Sequence, residues 1–260
     1  MERVVPRAGG SVGVAATVLA ATGLLTRLRV GSVADVPGAA AFALVGAAVG
    51  GLAAAALVLL ALAGEPVLGA IAAMGVFAAV SGGLHLDGLA DTSDALVAPD
   101  AYAAERARED PAVGPGGAVA LLLVLAAEVA ALASVTASWG PLVAASVVVV
   151  GGAVSRWLPV LAVVLLRERV GHDGLGAWFS DAVSGRDAIV GAITVTLMVG
   201  VGTAVGEWAV GLGALIATAL GVVATALIAR ARGRLDGDGL GACVEIALLA
   251  TLASVAVIAP

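Results

Sequence analysis

The chain has 260 residues, of which 61% are apolar and only 12% charged, about half the charge with which an ordinary soluble domain covers its surface. That composition excludes a soluble globular domain and makes the bilayer the natural solvent, and 36 glycines suit helices that approach one another closely in lipid. A formal charge of −6 argues against nucleic acid as a partner, the absence of lysine removes Schiff-base and phosphate-loop lysine chemistry, and the single cysteine, Cys243, excludes an intrachain disulfide and a cysteine-built zinc site.

In chain order, Arg3 and Arg7 precede an apolar stretch over 12–25 in the manner of a secretory signal, but Thr26-Arg27-Leu28-Arg29 follows in place of a small-residue cleavage site. The stretch is also shorter than the roughly 20 residues a span needs, so an interfacial or re-entrant helix is expected. Seven uncharged runs follow, at approximately 38–63, 66–84, 117–138, 141–166, 188–206, 209–229 and 239–259. The expected fold is therefore all-α: a polytopic integral membrane protein of about seven transmembrane helices plus the short N-terminal helix, forming a single membrane domain over 1–260.

Three connections between these runs are tight: Gly64-Glu65-Pro66, the turn at 138–141 and the turn at 207–211. The other four, 27–37, 85–116, 167–187 and 230–238, are long, and ten of the thirteen arginines fall in them and none in the tight turns. A pair of spans separates each long segment from the next, so all four share one side, and the arginine bias makes that side cytoplasmic. Parity and charge agree.

The second span runs into Ser81-Gly82-Gly83-Leu84-His85-Leu86-Asp87-Gly88-Leu89-Ala90-Asp91-Thr92-Ser93-Asp94. Asp87, Asp91 and Asp94 stand at i, i+4 and i+7, which on a helix stacks three carboxylates on one face. A divalent cation relieves their repulsion, and oxygen-only ligands suit magnesium or manganese better than zinc. His85 lies beside them, and Gly82 and Gly83 admit a ligand close to the backbone. A solvated acidic loop after a membrane helix is the plainer alternative, though it leaves the helical register without a reason.

Further along, Glu105-Arg106-Ala107-Arg108-Glu109-Asp110 leads through Gly114-Pro115-Gly116-Gly117 into the next span. Arg106 and Arg108 are candidate phosphate contacts, and equally topological anchors. Glu128 and Arg156 lie inside spans, each roughly 15 Å from the arginine-rich end, and their helices form a hairpin, so they are expected to pair. Ser155-Arg156-Trp157 could instead meet an anionic group from the cytoplasmic side. Asp238 is expected to cap the last helix, which carries Glu245 one to two turns in. His172 and Asp173 are ambiguous.

The run 82–94 resembles the signature of the cobalamin synthase family, the adenosylcobinamide-GDP ribazoletransferases. Four other regions are similar to family elements: 22–29, Asp110 to Gly117, Ser155-Arg156-Trp157, and 236–245. Pro111, Pro115 and Asp236 depart from the family's pattern. The resemblance implies transfer of the cobinamide-phosphate moiety from adenosylcobinamide-GDP to α-ribazole or its 5′-phosphate, with release of GMP, at the inner membrane with the site facing the cytoplasm. It further implies that Asp87, Asp91 and Asp94 hold magnesium and, with His85, form the catalytic group in a segment over about 82–117. Gly82, Gly83, Arg106, Arg108, Asp110, Gly114, Gly117, Ser155, Arg156, Asp238 and Glu245 are then the candidate substrate contacts. Association of like copies is left open. A CDP-alcohol phosphotransferase fits less well, because Asp87-Gly88 lacks the following Ala-Arg and the acidic spacing is tighter. A secondary transporter would place its ionisable groups at the midplane rather than at one membrane face.

Overall fold

The computed structural model describes residues 13–30, 36–109, 112–172, 174–205 and 207–258. Eleven α-helices run through them. A short first helix, α1 (Val14–Leu25), precedes α2 (Phe42–Leu62), which is entered through a 3-10 turn at Ala39–Ala41, and α3 (Pro66–Ser81). Two helices at one membrane face, α4 (Leu84–Val97) and α5 (Ala101–Glu109), lead to the hairpin of α6 (Pro115–Trp139) and α7 (Pro141–Leu165). A 3-10 turn at Arg167–Arg169 and α8 (Gly174–Ala182) follow, then α9 (Gly185–Val205), α10 (Trp208–Ala231) and α11 (Gly237–Ile258).

Among the described residues six helices are long and apolar enough to cross a bilayer, and a seventh span is obtained if the bent pair α3–α4 is taken as one. Helices are what such sequences must form, since every backbone polar group in lipid needs a partner within its own segment. The tight turns are built as the sequence suggests: Gly64 and Gly140 take positive φ, and Pro66 and Pro141 open the following helices at positions where the missing N–H costs nothing. The chain is a multi-pass helical membrane protein. At 12 residues, α1 is about 18 Å long, too short for a hydrocarbon core of about 30 Å.

The central helix is α7, whose apolar window is 83% buried, against 22% for α6 and for α9. It crosses α2 at close range because Gly46 and Gly50 face Gly152: a Cβ on Gly50 would lie 2.8 Å from the carbonyl oxygen of Val148, and one on Gly46 would strike the Gly152 backbone. Small residues spaced by four let helix axes approach in this way. On α9, Ile189, Ile193, Leu197, Val201 and Val205 form an exposed stripe every fourth residue, the side such a helix turns to lipid.

Two features depart from the expected chain path. The second span ends at Ser81 rather than near 84, where Gly82 and Gly83 both take left-handed φ (69° and 78°) and α4 leaves at 91° to α3. Two of the long connections, 85–116 and 167–187, are largely helical, and the connections are stitched together. The Arg27 backbone N–H donates to the Val80 carbonyl (2.8 Å), the Leu235 N–H to the Arg169 carbonyl (2.7 Å) and the Gly171 N–H to the Leu235 carbonyl (2.9 Å).

Candidate active site

The fold gathers α4, α5, α8 and the start of α11 at the arginine-rich face. Gly88 decides how closely α4 meets α11: a Cβ there would stand 2.8 Å from the Asp238 carbonyl oxygen and 3.0 Å from the Gly241 Cα. This packing sets Asp87, one residue earlier, and Asp238 on the same cavity of about 320 Å³, whose polar rim also carries Glu105, Arg234 and Asp236. Its floor is apolar, with Phe42, Pro159, Trp178 and Phe179. A second, more open cavity runs along Arg27, Gly82, Gly83, Leu86 and Ala90. Asp87 lines both.

The three aspartates of α4 do lie in helical register, yet burial grows along the helix: Asp87 is exposed, Asp91 half-buried and Asp94 buried. Asp94 caps the head of α6. Its Oδ2 accepts from the Gly114 N–H (2.8 Å) and its Oδ1 from the Gly117 N–H (2.9 Å), and a Cβ on either glycine would collide with that carboxylate. An anionic acceptor at a helix N-terminus is favoured by both hydrogen bonding and the helix dipole. Pro115, a departure from the family pattern, occupies the first turn of α6, where proline is at home.

The capping expectation at Asp238 is corrected. The α11 cap is Asp236, whose Oδ1 accepts from the Gly239 N–H (3.0 Å), while Asp238 falls in the helix's first turn and lines the cavity. Asp236 is itself gripped by Arg232 through two bonds, Nη2 to Oδ2 at 2.8 Å and Nη1 to Oδ1 at 3.1 Å, with both side chains less than 10% exposed. Such a fork is the geometry in which arginine and carboxylate match best. Arg232 also reaches the Thr92 hydroxyl (3.4 Å), tying α10 to α4.

Beneath α4 lies a polar cluster. Arg156 is 3% exposed, donates from Nη1 to the Ser155 Oγ (2.8 Å) and lies 4.5 Å above the Phe77 ring. Glu128, Glu245 and His85 are buried within its electrostatic reach. Glu128 and Arg156 interact electrostatically, as expected of neighbours in the hairpin, although Glu128 Oε1, like His85 Nδ1, has no hydrogen-bond partner among the described residues. His85 lines the first cavity; Ser155, Arg156 and Glu245 line neither. Arg106 is exposed and lines neither, Asp110 and Asp173 lie outside the described residues, and so does the Arg108 side chain.

Arg27, Glu105, Arg234 and Trp178 border these cavities although the sequence did not single them out. Glu105 and Arg234 approach to 3.5 Å. Among the described residues no three carboxylate, histidine or cysteine side chains converge as a ready metal cage. Magnesium does not require one, since it is commonly held by one or two carboxylates together with a substrate's phosphates. Asp87 and Asp238, oxygen donors on one cavity, fit that arrangement.

Fold and site thus define a polytopic membrane protein with an acidic, two-chambered site at its arginine-rich face. The family model described as "Cobalamin-5-phosphate synthase" matches residues 17–256. A protein of Rhizobium etli (strain CIAT 652) named "Adenosylcobinamide-GDP ribazoletransferase" is 33% identical over 212 residues, covering 77% of each chain. One of the same name from Rhizobium johnstonii is 33% identical over 218 residues, again covering 77% of each. No solved structure matches. The chain belongs to the cobalamin-5-phosphate synthase family, and that membership makes it a transferase of cobalamin synthesis.

Proposed function

We propose that this protein transfers the cobinamide-phosphate moiety of adenosylcobinamide-GDP to α-ribazole or its 5′-phosphate, with magnesium, at the cytoplasmic face of the inner membrane. The relatives' names support the substrates. The observation that carries the reading is the position of Asp87, exposed on the family-like motif where the two cavities meet. A transfer between two bound substrates needs such a junction, because attacking and leaving oxygens must lie on opposite sides of the phosphorus.

The chemistry balances simply. A hydroxyl oxygen of the ribazole ribose forms a bond to the phosphorus attached to cobinamide. The bond from that phosphorus to the bridging oxygen breaks, and GMP departs with the oxygen. The hydroxyl proton passes to one of the acceptors that α4 brings to the cavity, Asp87 or His85. When bound, magnesium would neutralise diphosphate charge, and Asp87 and Asp238 are the residues to hold it, with Asp91 one turn further along α4. Asp94 serves by anchoring α4 to α6. Arg27 offers the donor a cation, and the Arg156 cluster supports α4 from below. Phosphoryl transfer asks for positioning and charge neutralisation above all.

Washed membranes containing the protein, supplied with adenosylcobinamide-GDP and α-ribazole, are expected to form adenosylcobalamin and GMP only when magnesium is present. Product formed equally in excess chelator would overturn the metal assignment; no product from folded protein with magnesium would overturn the reaction.

A further inference from the structure

Arg27 borders the second cavity, and the chain holds it there with more order than an exposed arginine needs. Its backbone N–H donates to the Val80 carbonyl at the end of α3 (2.8 Å). Beside it Thr26 is buried, and the Thr26 hydroxyl donates to the Thr22 carbonyl (2.7 Å) and accepts from the Leu28 N–H (3.2 Å). The side-chain stem of Arg27 lies across Gly82: a Cβ on that glycine would strike Arg27 Cδ and stand 2.6 Å from its Cγ. Gly83, equally left-handed, has nothing within 4 Å of its Cβ position. Arg29 is exposed as well but lines neither cavity. Anchoring at a membrane face asks only that a guanidinium reach the interface, by whatever rotamer. That accounts for Arg29, but it gives no reason for the stem of Arg27 to be laid over a glycine. Arg27 and Asp87 line this cavity without pairing with each other.

Building on the reaction proposed above, we infer that Arg27 binds the donor's diphosphate and that Gly82 is its positioning residue, left without a side chain so that the guanidinium is held at the second cavity. The ligand chemistry is a phosphate ester anion, which the planar fork of arginine matches better than any other side chain. Asp87 is the wall common to both cavities. A diphosphate at that wall meets the guanidinium from the second cavity, while Asp87 and Asp238 offer oxygens to the metal from the first. Neither contact displaces the other, since Arg27 and Asp238 line different cavities. An arginine fixed in advance loses less freedom on binding than one the ligand must order, which is what the bonds around Thr26 and the stem over Gly82 provide. Gly82 therefore serves the ligand through Arg27, whereas Gly83 leaves its own backbone open. A phospholipid headgroup carries the same anion at the same membrane face, so the test must separate the two sources.

The test is a double-variant cycle on the full chain in lipid nanodiscs with magnesium, read as KM for each substrate separately. Arg27→Ala is expected to raise KM for adenosylcobinamide-GDP about ten- to a hundred-fold and to leave KM for α-ribazole unchanged. Arg27→Lys is expected to recover part of the loss, since it keeps the charge without the fork. Gly82→Ala should raise the donor KM in the natural background, and in Arg27→Ala do no more than Gly83→Ala does there. Gly83→Ala imposes the same left-handed strain without touching Arg27, so its effect is expected to be equal in both backgrounds. An effect of Gly82→Ala that is the same with and without Arg27 would overturn the positioning role. A donor KM untouched by Arg27→Ala, with unfolding that now varies with headgroup composition, would give Arg27 to the lipid and overturn the inference. Donor retention is also measured without α-ribazole, by corrinoid absorbance. Weaker retention in Arg27→Ala, with no product from the natural chain once α-ribazole is added, would overturn the reaction and leave Arg27 standing as a phosphate contact. Product formed at an unchanged donor KM in Arg27→Ala would do the reverse.

Discussion

Gly88 of α4 lies so close to Asp238 at the head of α11 that a single added methyl would stand 2.8 Å from its carbonyl oxygen. Real side chains do not tolerate that separation from backbone, so Gly88→Ala must push the two helices apart and separate Asp87 from Asp238. Activity is expected to fall at least ten-fold with the protein still present in membranes, because misplacement by about 1 Å is enough to cost two orders of magnitude. Gly75→Ala is the control: nothing lies within 4 Å of its Cβ position, and full activity is expected. Equal activity in the two variants would mean that the α4–α11 junction is not part of the site.

Asp87 and Asp94 share a helix face but not a task. Asp87→Asn is expected to lower kcat by at least about a hundred-fold with unfolding in detergent unchanged. Asp94→Ala removes the acceptor of two backbone N–H groups at the head of α6 and is expected to cost about 2–3 kcal/mol of stability. Asp94→Asn retains one acceptor oxygen and should cost roughly half as much. Loss of magnesium-dependent turnover in Asp94→Asn with no change in unfolding would instead place Asp94 among the metal ligands.

The contrast shows what the chain discloses by itself. Spans, hairpins and the arginine-rich face are legible because each rests on residues adjacent in sequence: a run of apolar side chains, a Gly-Glu-Pro turn, a cluster of arginines. The Asp94 cap joins residues 20 and 23 positions apart, and nothing local distinguishes a carboxylate that will cap a distant helix from one that will meet a ligand. The same holds at α11. Asp236 and Asp238 both precede an apolar run, and only the turn of the chain, with Arg232 folded back onto Asp236, makes the earlier one the cap. The aromatic floor is the least legible of all. Phe42 opens an apolar span while Trp178 and Phe179 lie in a connection between spans, and they line one cavity only because α8 packs against the head of α11.

Arg232 and Asp236 form a buried, forked pair. Removing Arg232 takes from a buried carboxylate its closest partner and leaves it Arg234 at 4.0 Å, so Arg232→Met is expected to destabilise the protein by up to about 3–5 kcal/mol. The double variant Arg232→Met with Asp236→Leu removes both charges but also the α11 cap, and should recover all but about 1 kcal/mol. Thermal unfolding of the three proteins in one detergent checks this. A double variant no more stable than Arg232→Met would show that the pair contributes chiefly through the cap.

Orientation in the membrane can be read with a protein whose own cysteine stays silent. Cys243 is completely buried, so a reporter cysteine can be placed in the natural background without first removing it. Glu65 sits in a tight turn between α2 and α3, and His172 is exposed between α7 and α8, on the face where the arginines gather. One span separates the end of α2 from the other face, so the two positions must lie on opposite sides. In intact bacterial cells a membrane-impermeant maleimide is expected to label Glu65→Cys and not His172→Cys, and both after lysis. The reverse pattern would put the acidic cavity outside the cytoplasm, against the arginine bias. Labelling of both in intact cells would mean that the short turn at Glu65 and the α8 face are not separated by a span, and the hairpin topology would fall with it.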